Sequence, residues 1–422
     1  VSRYDYAQKK LREDGFKLVD GRKLLETIHF LTGAEVVNTT AENIAKSYVT
    51  TPDQFHQVSD EIRRALKELV ESKTLIESNN QFRITSQTEQ RIIDEMNRWE
   101  VPSYKIKSEI VKRLKGFDKI KSLAHFNEAN VNYEFYCATD NDEPLINTGN
   151  KTLRIVFHDF YSLGHDVYDY LQQVKDNTQA DKNIISIIPN TDYFNDIEKL
   201  ITEIDQITHI ENTHVNASDD ERMVINDFAS QRGEKESVRD RLLFNAYINS
   251  KAVYLYNVYN LSETNFSQQL SDLQQRMIDN IYTKRIKATI SDSVAKLIIS
   301  KPKNQLYTLF ASDEFGFFDS SGNFIGDTLS VVSETTVLMK NHISGRDLEE
   351  KLKEAPTGYS YGLLVCTVAA LFRGNKVIAR YNGTDFYSAE DAGAADIFAQ
   401  AKNFGKASFK AITKSLSYNQ KR

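Results

Sequence analysis

Cysteine and proline are scarce in this sequence, which contains 2 cysteines and 6 prolines among 422 residues. Cys137 and Cys366 are far apart along the chain and stand in apolar surroundings, so a disulfide framework is not expected and a reducing compartment is favoured. The first residues are charged and polar and lack the apolar segment of a secretory signal. We therefore expect a cytoplasmic protein.

Long hydrophobic runs are missing as well. The longest apolar stretch runs from Leu363 to Phe372, whereas a helix needs about 20 apolar residues to cross a bilayer. A membrane partner is therefore not expected. Hydrophobic residues make up 40% of the chain and charged residues 27%, which is typical of globular proteins, and a prior of about 150 residues per domain predicts roughly two to four domains.

Motifs for nucleotide and metal chemistry are also missing. The sequence contains neither Gly-x4-Gly-Lys-Ser/Thr nor a strand followed by Gly-x-Gly-x2-Gly, so no ATP or magnesium site is predicted in this chain. His158-Asp159 and His165-Asp166 resemble metal ligands, but their His-x6-His spacing has no Cys or Glu partner. Cys366 lies in an apolar helix, which raises the pKa of a thiol. We predict no catalytic residue, no metal and no cofactor.

The clearest pattern that is present is a helix, a stop and a hairpin at 357–387. The helix is almost wholly apolar, and two alternating runs follow it on either side of Asn382-Gly383, a pair that suits a tight type I′ turn. A shorter helix with a capping pattern begins at Ser344. This order of elements predicts a winged-helix-like unit.

The same order occurs near the N-terminus. Pro52 begins a predicted helix whose apolar residues keep helical spacing as far as Leu69, and a hairpin with strands at 74–77 and 81–85 follows it. The chain is therefore predicted to contain two winged-helix-like units.

Between these units the pattern is mixed α/β. Strands are predicted at 132–137, 152–157, 183–188 and 253–258, and helices at 193–207, 219–249 and 266–282. The last two helices are predicted to form a long antiparallel pair that carries an assembly surface, with Leu273 and Ile281 as apolar contacts. We therefore expect a mixed α/β multi-domain protein with two winged-helix-like units, a central α/β domain and a long helical pair, assembled as a homo-oligomer.

These elements predict five domains. They are a helical and winged-helix domain at 1–101, a basic helical connector at 102–130, a central α/β domain at 131–260, a helical arm at 261–300, and a C-terminal winged-helix-like domain with a basic tail at 301–422. The basic residues of the connector are explained by a solvated helix face, with a phosphate-contacting patch as the alternative.

An excess of positive charge is absent, since 53 Lys and Arg stand against 59 Asp and Glu. Double-stranded DNA would therefore have to bind through local clusters. One candidate is Arg63 with Arg64, on a helix that also carries acidic residues. The other is Lys406, Lys410 and Lys414, which recur at helical spacing in a stretch free of acidic residues. A solvated terminal helix explains the lysine pattern equally well.

Three strings of residues, taken in their order along the chain, resemble one protein family. They are LKELVESKTLI at 66–76, IDNIYTK at 278–284, and EAPTGYSY at 354–361 followed by VAALF at 368–372. Their succession is similar to the region downstream of the nucleotide-binding domain in the P-loop proteins of bacteriophage-exclusion (BREX) systems called BrxC, a group related to PglY. The matching order covers most of the chain.

The resemblance implies a part of a phage-defence ATPase. The family is similar to AAA-type ATPases in its N-terminal part and acts with a methyltransferase and a phosphatase-like partner. The Walker motifs have no matching positions here, so ATP and magnesium are expected only for a full-length member. We therefore predict a non-catalytic assembly and DNA-engaging portion of a BREX ATPase, with other BREX subunits as partners. The alternatives are a stand-alone winged-helix DNA-binding regulator and an enzyme without a recognised motif.

Overall fold

The computed structural model describes residues 2–34, 37–78, 80–146, 151–160, 167–310 and 313–412. It confirms the predicted mixed α/β class. The helices are α1 (Arg3–Glu13), α2 (Gly21–Ala34), α3 (Ala41–Tyr48), α4 (Pro52–Glu71), α5 (Gln87–Arg98), α6 (Ser103–Leu114), α7 (Asp118–Lys121), α8 (Val167–Thr178), α9 (Phe194–Thr213), α10 (Asp219–Ile248), α11 (Phe266–Ile281), α12 (Ser293–Ser300), α13 (Ser330–Leu338), α14 (Gly345–Lys353), α15 (Tyr361–Arg373), α16 (Ala394–Ile397) and α17 (Ala401–Lys406). The strands are β1 (Leu75–Ser78), β2 (Gln81–Ile84), β3 (His125–Glu128), β4 (Val131–Glu134), β5 (Tyr136–Thr139), β6 (Arg154–Phe157), β7 (Ile184–Ile188), β8 (Lys251–Tyr254), β9 (Asn257–Asn260), β10 (Ile343–Ser344), β11 (Val377–Tyr381), β12 (Thr384–Phe386) and β13 (Ser408–Ala411).

The chain folds into two compact units. The first consists of Val1–Ile110 with Tyr193–Leu243, and the second of Val111–Asp192 with Phe244–Arg422. Most of α10 belongs to the first unit, whereas α11 belongs to the second. The predicted pair of long helices is therefore not an element of either unit. The five predicted domains follow other boundaries, since residues 193–243 of the predicted central domain at 131–260 belong to the first unit and the rest of it to the second. The domain boundaries stay predictions.

The first unit begins as a helical bundle that ends in a hairpin. Helices α1 to α4 each bury one apolar stripe, because their apolar residues recur every three or four positions. Leu24 and Ile28 on α2 and Ile62 on α4 are fully buried in this core, and Phe82 of β2 packs into it. The backbone N–H of Phe82 also donates to the carbonyl oxygen of Thr39 at 2.9 Å, which ties the segment before α3 to the hairpin.

A second core of the same unit lies among α5, α9 and α10. Met96, Ile207 and Val224 are buried together there. Helix α5 begins with a capping box, in which the side chain of Ser86 caps the backbone of Glu89 and the Glu89 carboxylate caps the backbone of Ser86. The cap fixes where the helix starts and so which of its faces meets α9.

The second unit is built on a five-stranded sheet of order β5-β6-β7-β8-β9. Strands β5, β6 and β7 are parallel, and β8 and β9 continue the sheet antiparallel. Helix α8 connects β6 to β7. The parallel strands are buried on both faces, which is why they appear in the sequence as continuous apolar runs. Their carboxyl ends meet at one edge, where residues 140, 158 and 189 follow them.

Two of the predicted strands are each divided into two. The strand predicted at 132–137 is β4 and β5, which lie in different sheets. The N–H of Phe135 donates to the carbonyl oxygen of Ala124, just before β3, whereas the N–H of Tyr136 donates to that of Leu153, just before β6. The strand predicted at 253–258 is a hairpin that turns at Leu255 and Tyr256, with φ of 46° and 70°. Neither residue type is a usual turn former, so the sequence did not mark this turn.

Helix α15 forms the centre of the C-terminal part of this unit. All residues from Leu363 to Phe372 are buried. Gly362 allows the backbone of a neighbouring segment to approach closely, since a Cβ added there would lie 2.1 Å from the carbonyl oxygen of Ile290. The helix is therefore apolar on all sides because it is surrounded on all sides.

The predicted helix start at Ser344 and the predicted turn at Asn382-Gly383 are both confirmed. Ser344 Oγ accepts the N–H of Asp347 at 3.0 Å, and Asn382 and Gly383 have φ of 48° and 80°. Strands β11 and β12 belong to a four-stranded sheet of order β10-β13-β11-β12. The hairpin is thus joined to β10 through β13.

The apolar residues of α11 are part of a core. Leu273 is 1% exposed and Ile281 is 5% exposed. Their predicted role as contacts in an assembly surface was wrong, because the helical stripe on which they lie is already covered by the chain itself.

Candidate functional site

The C-terminal lysines do not form one helical stripe. Lys406 is the exposed last residue of α17, and Lys410 is half-buried in β13; Lys414 lies outside the described residues. The prediction of a terminal helix was wrong because Phe409 is buried in the sheet and holds the chain extended. A spacing of four residues keeps side chains on one side of a strand as well as of a helix. Neither Lys406 nor Lys410 makes an ion pair with a described residue.

Strand β13 places Lys410 on the outer face of the four-stranded sheet. Lys410 lies opposite Ile378, and Arg380 lies opposite Ser408 on the same face. Arg380 is held by Asp385 through two hydrogen bonds, from Nε to Oδ1 at 2.5 Å and from Nη2 to Oδ2 at 3.0 Å. The cation of this face that keeps no carboxylate partner among the described residues is therefore Lys410.

His342 lies beside this face and responds to its charge. Its Nδ1 is 3.4 Å from Ser408 Oγ. Desolvation lowers the pKa of His342, Arg380 and Lys410 lower it further, and Asp385 opposes them. Two cations against one carboxylate indicate a net positive potential over this part of the sheet.

Arg63 and Arg64 are exposed on α4 but are engaged within the first unit. Arg63 Nη1 lies 3.3 Å from Asp60 Oδ1, and the Arg64 guanidinium stands over the Phe16 ring at 5.7 Å. The carboxylate of the nearby Glu61 accepts three backbone N–H groups from the loop between α1 and α2, at 2.7, 2.8 and 3.3 Å. These residues belong to the first unit and the lysines to the second, so no unit contains all of the predicted residues.

The basic connector is also engaged by partners within each unit. Lys105 Nζ lies 3.3 Å from Asp205 Oδ2 and stands over the Trp99 ring at 5.3 Å. Lys115 Nζ lies 2.9 Å from Glu143 Oε1. Lys107, Lys112 and Arg113 have partners as well. This pattern is typical of a solvated helix face.

Polar side chains gather where the parallel strands of the second unit end. Asp140 follows β5, and His158 and Asp159 follow β6. His158 and Asp159 are each 8% exposed. His158 Nδ1 lies 2.6 Å from Tyr170 Oη and 3.9 Å from Asp140 Oδ2. In open α/β sheets this is the edge at which ligands bind.

Burial sets the protonation of this cluster. Desolvation lowers the pKa of His158, and the carboxylates of Asp140 and Asp159 offset part of the fall. Burial raises the pKa of Tyr170 and of Tyr247, whose hydroxyl donates to the His158 carbonyl oxygen at 2.8 Å. The imidazole is therefore neutral at neutral pH, and a protonated Tyr170 can donate to Nδ1, which places the imidazole proton on Nε2.

Two atoms of the cluster lack hydrogen-bond partners. Asp140 Oδ1 and His158 Nε2 are buried and have none among the described residues. A buried acceptor and a buried donor without protein partners are each places where an ordered water or a small polar group binds. Within the described ranges no three His, Cys, Asp or Glu side chains are placed to hold a metal ion. His165 and Asp166 of the suggested metal pattern lie outside the described residues.

The two thiols are poor nucleophiles. Burial raises the pKa of Cys137 and of Cys366 to about 12 in each case. Cys366 Sγ also lies 3.4 Å from the carbonyl oxygen of Ser291. Both cysteines are therefore core residues.

The sequence pointed to His158 and Asp159 but missed their neighbours. Asp140, Tyr170 and Tyr247 join them only because β5, α8 and α10 meet at this edge of the sheet. One pattern in the sequence could have pointed to Asp140. A polar residue directly follows a buried strand, and parallel strands bring such residues to a common edge of the sheet.

None of the helices in the described part of the chain is long and apolar enough to cross a membrane. The sequence matches no protein-family model, no curated protein and no solved structure.

Proposed function

We propose that this chain is the assembly and DNA-engaging portion of a BREX-type phage-defence ATPase, without a catalytic site of its own. The observation that carries the proposal is the contact between two of the strings through which the chain resembles this family. The N–H of Lys284 donates to the carbonyl oxygen of Pro356 at 2.9 Å. A Cβ at Gly358 would lie 2.7 Å from Tyr282 Cδ1. The resembling residues thus pack against one another, which favours a scaffold over a reaction site.

The order of elements in the N-terminal region supports the proposal. Helices α2, α3 and α4 are followed by the hairpin β1–β2, and the bond from Phe82 to Thr39 adds the segment before α3 to that hairpin. Three helices followed by a two-stranded hairpin are the order of elements expected of a winged-helix DNA-binding module.

The order of elements in the C-terminal region also supports it, with one departure from the order expected of a winged helix. Helices α13, α14 and α15 precede the hairpin β11–β12, but β13 stands between β10 and that hairpin. Helix α15 is buried from Leu363 to Phe372 and has no free face for a DNA groove. In this unit the DNA-contacting surface we propose is therefore the outer face of the sheet around Lys410, together with Lys406.

Contacts of this kind are made with phosphates. They add affinity without much sequence preference, and each one makes log affinity fall with log salt by about 0.9 on duplex DNA. The test is fluorescence anisotropy of a labelled duplex over a range of salt concentrations. Wild-type protein should bind weakly, and replacing Lys406→Gln with Lys410→Gln should weaken binding to every sequence alike.

A control for this variant removes the same charge elsewhere in the second unit. Lys296 and Lys303 are exposed, and replacing both with Gln should leave affinity near the wild-type value. Absence of binding by the wild-type chain at low salt would end the DNA part of the proposal. A strong preference for one sequence, lost with Arg63→Gln and Arg64→Gln, would favour the stand-alone regulator.

The assembly part is tested by co-expression with the methyltransferase and phosphatase-like subunits of a BREX system. We expect the chain to elute with at least one of them in size-exclusion chromatography with light scattering. The same run on the chain alone measures self-association. The assembly role would be contradicted if the chain elutes as a monomer by itself and also elutes as a monomer, without either subunit, after co-expression.

A further inference from the structure

Strand β4 has a free edge in the second unit. Among the described strands it pairs only with β3, through a hairpin that turns at Ala129 and Asn130 with φ of 50° and 61°. In such a two-residue hairpin the paired residues alternate between those that bond across the ladder and those that do not. The N–H of Phe135 donates to the carbonyl oxygen of Ala124 at 2.8 Å, so Phe135 is one of the residues whose backbone bonds across to the β3 side. The N–H and C=O groups of Asn132 and Glu134 therefore point away from β3.

These outward backbone groups lack backbone partners within the described residues. Neither Asn132 nor Glu134 donates or accepts a further backbone bond. An open row of N–H and C=O groups is the template on which an added strand pairs.

A cavity of about 370 Å³ lies along this edge. All four residues of β4 line it, together with Tyr282 and the end of α14. Side chains alternate between the two sides of a strand, so four consecutive lining residues mean that the backbone edge itself borders the cavity. An extended segment could lie there and bond to the edge.

The charges around the cavity are mostly negative. Glu134, Glu350 and Glu354 contribute carboxylates and Lys353 contributes one ammonium. Glu350 is paired with Arg346 at 3.2 Å, in an exposed contact. Glu134 and Glu354 have no cationic partner among the described residues. A positively charged group would be attracted to this rim.

Two tyrosine rings line the cavity below this rim. Tyr133 and Tyr282 are 5% and 7% exposed, and their ring centroids are 5.0 Å apart in an edge-to-face arrangement. Neither hydroxyl has a hydrogen-bond partner in the described part of the chain. Burial raises the pKa of Tyr133 to about 12, and the Glu354 carboxylate adds to the rise in the pKa of Tyr282. Protonated phenol rings next to carboxylates suit a guanidinium or ammonium group.

We propose that the outer edge of β4 binds an extended basic segment of a partner polypeptide, which adds as a strand and places an arginine or lysine side chain beside Tyr133, Tyr282 and Glu354. The unpartnered backbone groups favour a polypeptide over a free cation, and the carboxylates favour a basic one. The inference rests on the assembly role proposed above and names the chemistry of the partner. DNA binding does not enter it.

The test uses the full chain and a labelled, end-blocked peptide, Thr-Arg-Thr-Val-Thr-Arg-Thr, in fluorescence anisotropy. We expect saturable binding of this peptide. A second peptide with glutamate in place of both arginines should not bind. A third, with every inner amide N-methylated, keeps the side chains but removes the ladder donors, and it should bind at least about fivefold more weakly.

The site is located with Glu134→Gln combined with Glu354→Gln, both of which are exposed residues. This variant should raise the Kd of the basic peptide about fivefold. The matched control is Glu263→Gln, an exposed residue of the same unit outside the cavity, and it should leave the Kd unchanged. Circular dichroism checks that each variant is folded.

Four results would overturn the inference. Three are no saturable binding of the basic peptide, equal binding of the N-methylated peptide, and equal binding by the double glutamine variant. The fourth is competition by free arginine amide at the peptide's own concentration, which would mean that the cavity binds a small cation and that strand addition is wrong. Each of these results leaves the co-expression and duplex titrations unaffected, so failure here is distinguishable from failure of the assembly or DNA role.

Discussion

The two helix–hairpin regions have the same order of elements and the opposite burial. Helix α4, before the first hairpin, buries one stripe and leaves Arg63, Arg64 and Lys67 exposed. Helix α15, before the second, is buried from Leu363 to Phe372. The same succession can therefore build a helix with an open polar face or a helix that is itself the core. The surface available to a ligand is a helix face in the first region and a sheet face in the second.

The largest effect expected from this comparison is on stability. Leu364 is 1% exposed in α15, and Leu364→Ala should lower the free energy of unfolding by about 2–5 kcal/mol through lost burial and a cavity. Lys67→Ala on the open face of α4 should change it by less than about 0.5 kcal/mol. Urea titration followed by circular dichroism measures both. Similar values for the two variants would contradict the difference in burial.

Replacing a glycine with alanine should change the free energy of unfolding in opposite directions in the two regions. Gly362→Ala places a Cβ 2.1 Å from the Ile290 carbonyl oxygen, so it should lower the free energy of unfolding by about 1–3 kcal/mol. Gly33→Ala in α2 meets no atom within 4 Å and should raise it by roughly 0.5 kcal/mol, because alanine costs less backbone entropy in a helix. Thermal melts of both variants give the sign directly.

A smaller change in stability is expected from pH, through His158 at the buried sheet edge and, to a lesser extent, His342 on the open sheet face. The pKa of His158 is lowered in the folded state, so the unfolded state binds more protons. The free energy of unfolding should therefore fall as pH drops below about 6.5 and level off above it. His158→Asn should reduce this slope whatever its effect on stability at neutral pH.

His342 provides the control for that slope. Its pKa is also lowered, but it lies on the exposed face, so His342→Asn should change the slope less than His158→Asn. Unfolding measured by urea titration between about pH 5 and pH 8 compares the three proteins. A wild-type stability that does not vary across this range would show that the imidazole of His158 titrates normally.

The smallest effect concerns salt. If duplex DNA is bound by the sheet face, Lys406→Gln with Lys410→Gln should reduce the slope of log affinity against log salt by up to about 1.8, at roughly 0.9 per phosphate. Arg63→Gln with Arg64→Gln should reduce it less, since Asp60 and the Phe16 ring already engage these side chains. If the arginine variant instead reduces the slope more than the lysine variant, the proposed DNA contact moves to α4 in the first region.

Much of the local structure followed from the sequence. The N-cap at Ser344 was visible because its hydroxyl needs only the backbone three residues ahead. The turn at Asn382-Gly383 was visible because both residue types tolerate positive φ. These features depend on neighbours along the chain, and neighbours along the chain are what a sequence displays.

The candidate site was predicted less completely. His158-Asp159 attracted notice as a pair, but Asp140 and Tyr170 reach them only through the pairing of β5 with β6 and the packing of α8. The β4 edge could not be recognised at all, because a run at 132–137 reads as one strand whether or not the chain changes sheets at Phe135.

By itself, the sequence determined the class of elements, the caps and the Asn-Gly turn, since these depend on local propensity and hydrophobic period. Tertiary structure decided whether Lys410 lies on a helix or a strand, because a four-residue spacing fits both and only the burial of Phe409 between β10 and β11 selects the strand. It also decided that α15 is enclosed and that β4 has an open edge. Both outcomes depend on which segments distant in sequence come to lie beside them, and no local pattern encodes that.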